Sequence, residues 1–261
     1  MHNEKIQMLV AAHKEFPMPK DEIYLPIQVG ASLSKVKFSG YQVDDQGKNI
    51  SVKNPYFNEL TAIYWARYNS SADVIGLVHY RRYFSFKKGK NLQNILDGKQ
   101  IAMLLKHTDV ILPKKRHYWI ESSESHYRHA HHGISLDAVR LIISSKYPEY
   151  LEVFENQMSK TSSHMFNMFI MRREEFNAYS DWLFSILFEV EKLIENEVLS
   201  WDSYEKRVYG FLSERLLDVW IVKNDIRYTE VPIFFMGKQN WLLKGGKFMA
   251  RKFGFGRIGE K

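Results

Sequence analysis

The chain has 261 residues, 45% of them hydrophobic, which suffices for a substantial core and excludes a disordered chain. Cysteine is absent, so disulfides, thiolate nucleophiles and cysteine-ligated zinc are excluded together, and a reducing compartment is expected. The net charge of +7 implies an anionic partner (nucleotide, nucleic acid or acidic membrane surface), and an aromatic share of 15% suits the stacking of ring-shaped ligands. The length fits one large domain, or one domain with a helical appendage. No apolar run reaches the length of a signal-peptide core or a membrane span, so a cytoplasmic location is expected.

In chain order, residues 6–12 read as a first strand that opens into His13-Lys14-Glu15 and is stopped by Pro17 and Pro19. A first strand leading into a polar loop is a common start for a nucleotide site. There is no Gly-x-Gly-x-x-Gly and no Walker A loop, which disfavours dinucleotide dehydrogenases and P-loop enzymes. Residues 24–31 are a short extended piece ending near Gly30. In the polar loop 43–51, Asp44, Asp45, Asn49 and Ser51 suit a metal or sugar hydroxyls; equally, they are the residues a tight turn needs. Residues 54–68 read as a helix with Asn54 as cap and Pro55 at its first position. Glu59 falls in its early turns, where it either complements the helix dipole or reaches a ligand hydroxyl.

Residues 74–78 form an apolar run with the pattern of a buried strand, and the run breaks into His79, Tyr80, Arg81 and Arg82. A buried strand ending in arginines delivers positive charge to the carboxyl edge of a sheet, where α/β proteins bind ligands. The guanidinium fork suits a diphosphate. The order strand, loop, helix, strand implies a crossover and a parallel pair. A helix over 93–107 and a strand over 108–113 follow, and Lys114-Lys115-Arg116-His117 load a second strand end with cations. Residues 126–132 hold four of the ten histidines without any Glu-x-x-His pattern, so His126 and His131 suit a polar acceptor or a surface loop better than a metal. Residues 163–173 read as a buried strand carrying Asn167, whose amide must find partners in the core or on a ligand. Helices are expected over 136–145, 176–198 and 207–220. In the last, Glu214 is either a catalytic base or an ion-pair partner of Arg215. After an extended piece at 226–235, the tail 238–261 carries seven Lys or Arg and one Glu among aromatic residues, a composition suited to anionic lipid head groups or to solvent.

Taken together, Pro26-Ile27-Gln28-Val29-Gly30, Asp44-Asp45 through Ser51, Asn58 to Ala62, Gly76 to Phe84, Asn167 to Ile170 and Gly210 to Leu216 form a recurring set. The set resembles the bacterial capsular polysaccharide synthesis family, whose members look like GT-A glycosyltransferases. The resemblance covers the chain to about residue 236 and implies a single GT-A-like domain over 1–236, with a mostly parallel sheet flanked by helices, a helical C-terminal part and a separate basic tail over 237–261. It implies a nucleotide-sugar donor, UDP-galactofuranose first or another UDP-hexose. The acceptor it implies is a glycan or lipid-linked oligosaccharide of capsule, exopolysaccharide or O-antigen synthesis, handled in the cytoplasm or at the inner face of the plasma membrane. GT-A enzymes ordinarily place an Asp-x-Asp where this chain has His79-Tyr80-Arg81, so fixed cations would replace the metal and no cofactor is expected; Mn²⁺ or Mg²⁺ on Asp44-Asp45 is the alternative.

On that reading Arg81 and Arg82 hold the phosphates. His13, Gly30, Asp44, Asp45, Asn49, Ser51, Glu59, His79 and Tyr80 complete the donor site. His126, His131 and Asn167 face the acceptor, and Glu214 or His79 is the base. The rival class is a non-catalytic nucleotide- or nucleic-acid-binding module using the same basic strand ends. The acidic Asp44-Asp45 and the lack of an RNA-recognition signature disfavour nucleic acid.

Overall fold

The structure is a computed structural model that describes residues 4–87, 91–118 and 120–236. The basic tail over 237–261 lies outside the described residues. The chain forms β1 (Ile6–Ala12), β2 (Tyr24–Gln28), β3 (Gln42–Val43), α1 (Asn54–Phe57), α2 (Leu60–Asn69), β4 (Val74–His79), β5 (Arg82–Phe84), α3 (Gly98–Leu104), β6 (Val110–Pro113) and β7 (Arg116–His117). It continues with α4 (Ser123–Ala130), α5 (Gly133–Lys146), α6 (Pro148–Ser159), β8 (Ser162–Ser163), β9 (Phe169–Arg172), α7 (Arg173–Leu199), α8 (Val208–Lys223), β10 (Tyr228–Val231) and β11 (Ile233–Phe235).

The main sheet runs β10-β6-β9-β4-β1-β2-β3, with β5 attached to β4 and β11 to β5. Strand β1 pairs in parallel with both β2 and β4, and β9 is inserted antiparallel between β4 and β6. The sheet is buried on both faces. Side chains alternate across each strand, so a strand covered on both sides reads as a continuous apolar run. Met8, Val10, Val74 and Val78 pack into one layer with Tyr24, Tyr83 and Ile101. Leu9, Ala11, Ile75 and Leu77 pack into the other with Ile63, Val139, Leu183 and Leu216 from the helices. Each such aliphatic side chain contributes ~1.5–3 kcal/mol when removed fully from water, and all of these are at or near zero exposure.

Four expected elements differ in detail. The helix over 54–68 is broken, because Asn58 adopts φ 49° and separates α1 from α2. Asn54 does not cap; it is the first helical residue, and its amide donates to the Asn58 carbonyl (2.8 Å) and Thr61 Oγ1 (3.3 Å), bracing the corner. The helix over 93–107 shrinks to α3, which a capping box at Asp97 and Gln100 starts late. The strand over 163–173 splits into β8 and β9 because Phe166 and Asn167 take φ 78° and 53°. Residues 226–235 divide between β10, parallel to β6, and β11, antiparallel to β5.

Candidate active site

The carboxyl ends of β1, β2 and β4 share one edge of the sheet, which puts His13, Gly30 and His79 on that edge. Strand β4 turns at Tyr80-Arg81 and returns as β5, with His79 paired opposite Arg82. Opposite them lies the turn Phe166-Asn167. Two consecutive non-glycine residues in the left-handed region cost of order 1–3 kcal/mol each and persist only where the surroundings impose them. Here they do: His79 Nε2 lies 2.6 Å from the Phe166 carbonyl, and the Phe166 N–H donates to Glu214 Oε1 at 2.9 Å. Asn167 Nδ2 donates to Glu59 Oε1 at 2.7 Å and to the Gly210 carbonyl at 3.1 Å. One strained turn thus gathers β4, the start of α2, and α8 around one point.

A carbonyl only accepts, so Nε2 of His79 carries a proton. Burial holds His79 below its ordinary pKa; the Glu59 carboxylate opposes this and Arg82 reinforces it. The ring is therefore neutral at pH 7. Glu214 is half-buried, and its pKa is pushed up to about 6, first by burial, with Arg215 opposing and Glu59 adding to the rise. A carboxylate that titrates near working pH is suited to proton transfer.

The two arginines of the β4–β5 turn part company. Arg81 is exposed, with its guanidinium 5.1 Å from the Tyr80 ring and 5.7 Å from Phe16. Arg82 is half-buried and lies 4.5 Å over the Phe166 ring and 5.3 Å over Phe235. Its Nε is buried without a hydrogen-bond partner among the described residues. Burial lowers its pKa; Glu59 and Glu214 oppose this, and Arg207 lowers it further. Arg207 enters the site from α8, at whose N-cap it stands, and donates from Nε to Asn58 Oδ1 at 3.1 Å. A cation there faces the positive end of the helix dipole. His13, on the rim, is also held below its ordinary pKa, by partial burial first and then by Lys14, Arg207 and Arg81. The Asn167 side-chain oxygen, in a residue 2% exposed, likewise has no partner among the described residues. The edge therefore combines a surplus of positive charge with an unmet donor and an unmet acceptor.

The residues between β3 and α1 meet this edge at Gly30. Asp44 is fully buried and accepts from the N–H groups of Gly30 (2.8 Å) and Ala31 (2.9 Å) and from the hydroxyls of Ser51 (2.5 Å) and Thr61 (2.6 Å). Those bonds hold Gly30 at φ 68°, where an added Cβ would meet Asn54 Oδ1 at 2.7 Å. Asp45 pairs with Lys37, and Asn49 bonds the carbonyls of Asp45 and Gly47. The turn chemistry weighed for Asp44, Asn49 and Ser51 is what the fold uses. Among the described residues no group of three or more His, Asp or Glu side chains is arranged to hold a metal ion by itself.

Glu214 and Arg215 diverge rather than pairing with each other. Arg215 is buried and bonds Tyr118 Oη, Ser123 Oγ (3.3 Å) and Ser163 Oγ (3.4 Å), with His126 Nδ1 at 3.4 Å. His126 therefore belongs to this inner cluster, stacked on Tyr118 at 4.4 Å. His131 stacks on Phe211 and meets Glu205. Sequence reasoning misses Arg207, Asn58 and the buried His164, which lies between Asp218 and Glu230. Arg207 leaves one trace in the sequence, a base at a helix start.

Residues 7–225 match the family described as a domain of unknown function, DUF4422. The chain belongs to this family. The chain matches no curated protein sequence. It is similar to the apo structure of WbbM, a bifunctional glycosyltransferase, at 29% identity and a TM-score of 0.83; the match covers 90% of this chain and 46% of that one. The chain thus spans just under half the length of that protein. This DUF4422 chain has the mixed α/β architecture of a glycosyltransferase, with a mostly parallel central sheet flanked by helices. Among the described residues no helix is long and apolar enough to cross a membrane.

Proposed function

We propose that this protein transfers a sugar from a nucleotide-diphosphate donor, UDP-galactofuranose first or another UDP-hexose, to a glycan or lipid-linked acceptor of bacterial surface polysaccharide. The observation that carries this reading is the half-buried Arg82, whose Nε has no hydrogen-bond partner among the described residues and which feels the charge of Arg207 at the carboxyl edge of the sheet. Glu59 and Glu214 offset part of this positive charge, and a diphosphate supplies acceptors for both guanidinium groups. The likeness to WbbM supports the class of reaction.

In the reaction, the acceptor oxygen forms a bond to the anomeric carbon as the bond from that carbon to the β-phosphate oxygen breaks. The bonding pair leaves with UDP, and Arg82 and Arg207 neutralise the charge that develops there. The acceptor proton passes to Glu214, whose raised pKa suits it as base. His79 stays neutral and holds the Phe166 carbonyl, so it positions the turn that carries Asn167. Fixed guanidinium charge makes the transfer independent of divalent metal.

Calorimetric titration with UDP, in EDTA, tests the reading against single-stranded RNA as competitor ligand. Saturable UDP binding that survives chelation supports it. Preference for RNA, or UDP binding that appears only with Mn²⁺, contradicts it.

A further inference from the structure

The segment 200–207 that joins α7 to α8 carries two aromatic rings, and both meet histidines from the α4–α5 corner. Trp201 lies flat on His132, with centroids 4.1 Å apart and planes within 15°. His131 stacks on Phe211 at 4.1 Å and 21°. Tyr204 completes that group, 5.3 Å from Phe211 and 6.1 Å from His131. Glu205 stands beside it with Oε2 3.1 Å from His131 Nδ1. Phe211 is half-buried, whereas Tyr204 is 49% exposed.

One exposed ring is ordinary on a protein surface. The position of this one is not. The Arg207 guanidinium lies 5.5 Å from the Phe211 ring and 5.8 Å from Tyr204, while the same side chain bonds Asn58 and acts electrostatically on His13, His79 and Arg82. The rings therefore abut the cation cluster directly. A sugar ring has a C–H face that is apolar and faintly positive, and a rim of hydroxyls. The negative face of an aromatic ring matches the first, and a carboxylate with spare lone pairs matches the second.

We infer that Tyr204, Phe211 and Glu205 form the subsite for a sugar ring of the acceptor glycan, beside the donor diphosphate. This rests on the glycosyl-transfer reading above. Phe211 and His131 fix the platform from beneath, Tyr204 offers it to the ligand, and Glu205 accepts from a hydroxyl. Arg207 links the two subsites, since it touches the platform with one part and the diphosphate region with another.

The test uses the full chain, saturation-transfer NMR with octyl glycosides of galactose, glucose and mannose, and UDP affinity by calorimetry. Tyr204→Ala is expected to lower the ring-proton signal of the bound glycoside by about fivefold while UDP affinity stays within about twofold. Tyr204→Trp is expected to keep the signal, which a purely structural role would not ensure. An unchanged signal in Tyr204→Ala overturns the inference, as does parallel loss of UDP and glycoside binding, or the absence of any glycoside signal from the unaltered protein. Glycoside binding without any UDP binding would uphold the sugar platform and contradict the diphosphate reading.

Discussion

Replacing Arg82 with Gln separates binding from folding more sharply than any other change in the site. A residue held for stability lowers stability when it is removed. Arg82 has terms of both signs. Its stacking over Phe166 at 4.5 Å is worth ~0.5–2 kcal/mol, and Glu59 and Glu214 attract it. Against that stand the burial of its charge, a buried Nε with no partner among the described residues, a defect of ~1–3 kcal/mol, and the repulsion of Arg207. The two sides nearly cancel. In a chain of this length ~1 kcal/mol moves Tm by about 2–4 °C, so Arg82→Gln is expected to melt within a few degrees of the unaltered protein. Binding has no such compensation. A charge-assisted hydrogen bond to phosphate contributes ~1.5–3 kcal/mol, and its loss weakens UDP binding by about 10- to 150-fold. Differential scanning fluorimetry and calorimetry on the same preparations give both numbers. A large fall in Tm with unchanged UDP affinity would refute the reasoning, because Arg82 would then be a structural cation.

Glu214 gives a pH signature. Its pKa of about 6 lies above the ordinary carboxyl value of 4.5, so the native state holds the proton more tightly than the unfolded chain. That contribution to stability is fully present below 4.5 and is lost as pH rises through about 6. Transfer needs the ionised form, so kcat should fall as pH drops below about 6, and Glu214→Gln should remove activity and flatten that part of the stability profile. Asn167→Ala should cost ~2–3 kcal/mol, from two lost hydrogen bonds and a side chain less suited to φ 53°; urea unfolding would show it. Gly210→Ala would set a Cβ 2.7 Å from Asn58 Nδ2 and push α8 away from Arg207's partner, so UDP affinity should weaken together with a loss of ~1–3 kcal/mol in stability. Arg81→Ala should weaken UDP binding less than Arg82→Gln in the same titration, because its guanidinium lies out on the exposed side of the turn.

The core strands are legible in the sequence because burial on both faces demands unbroken apolar runs, as at 74–78. The cationic end of β4 is legible for the same reason, since charge follows apolar residues abruptly there. What a linear pattern does not carry is direction. Arg81 and Arg82 look equivalent in sequence, yet Arg81 is exposed at the strand turn while Arg82 is half-buried and feels Glu59 and Glu214. Asn58, Phe166 and Asn167 break expected elements because their left-handed backbone is imposed by partners far along the chain, such as Glu214 and Gly210. Arg207 is missed because its neighbours come from other parts of the chain. The acidic loop at 44–45 is legible as polar, but the four donors that satisfy Asp44 come from Gly30, Ala31, Ser51 and Thr61, and that closure appears only in three dimensions.

A crystal structure of the protein soaked with UDP is the shortest route to a decision. The account predicts β-phosphate oxygens within hydrogen-bonding distance of the Arg82 guanidinium, with Arg207 on the same anion. A diphosphate bound anywhere else, with Arg82 still resting on Phe166 and untouched by the ligand, would contradict it.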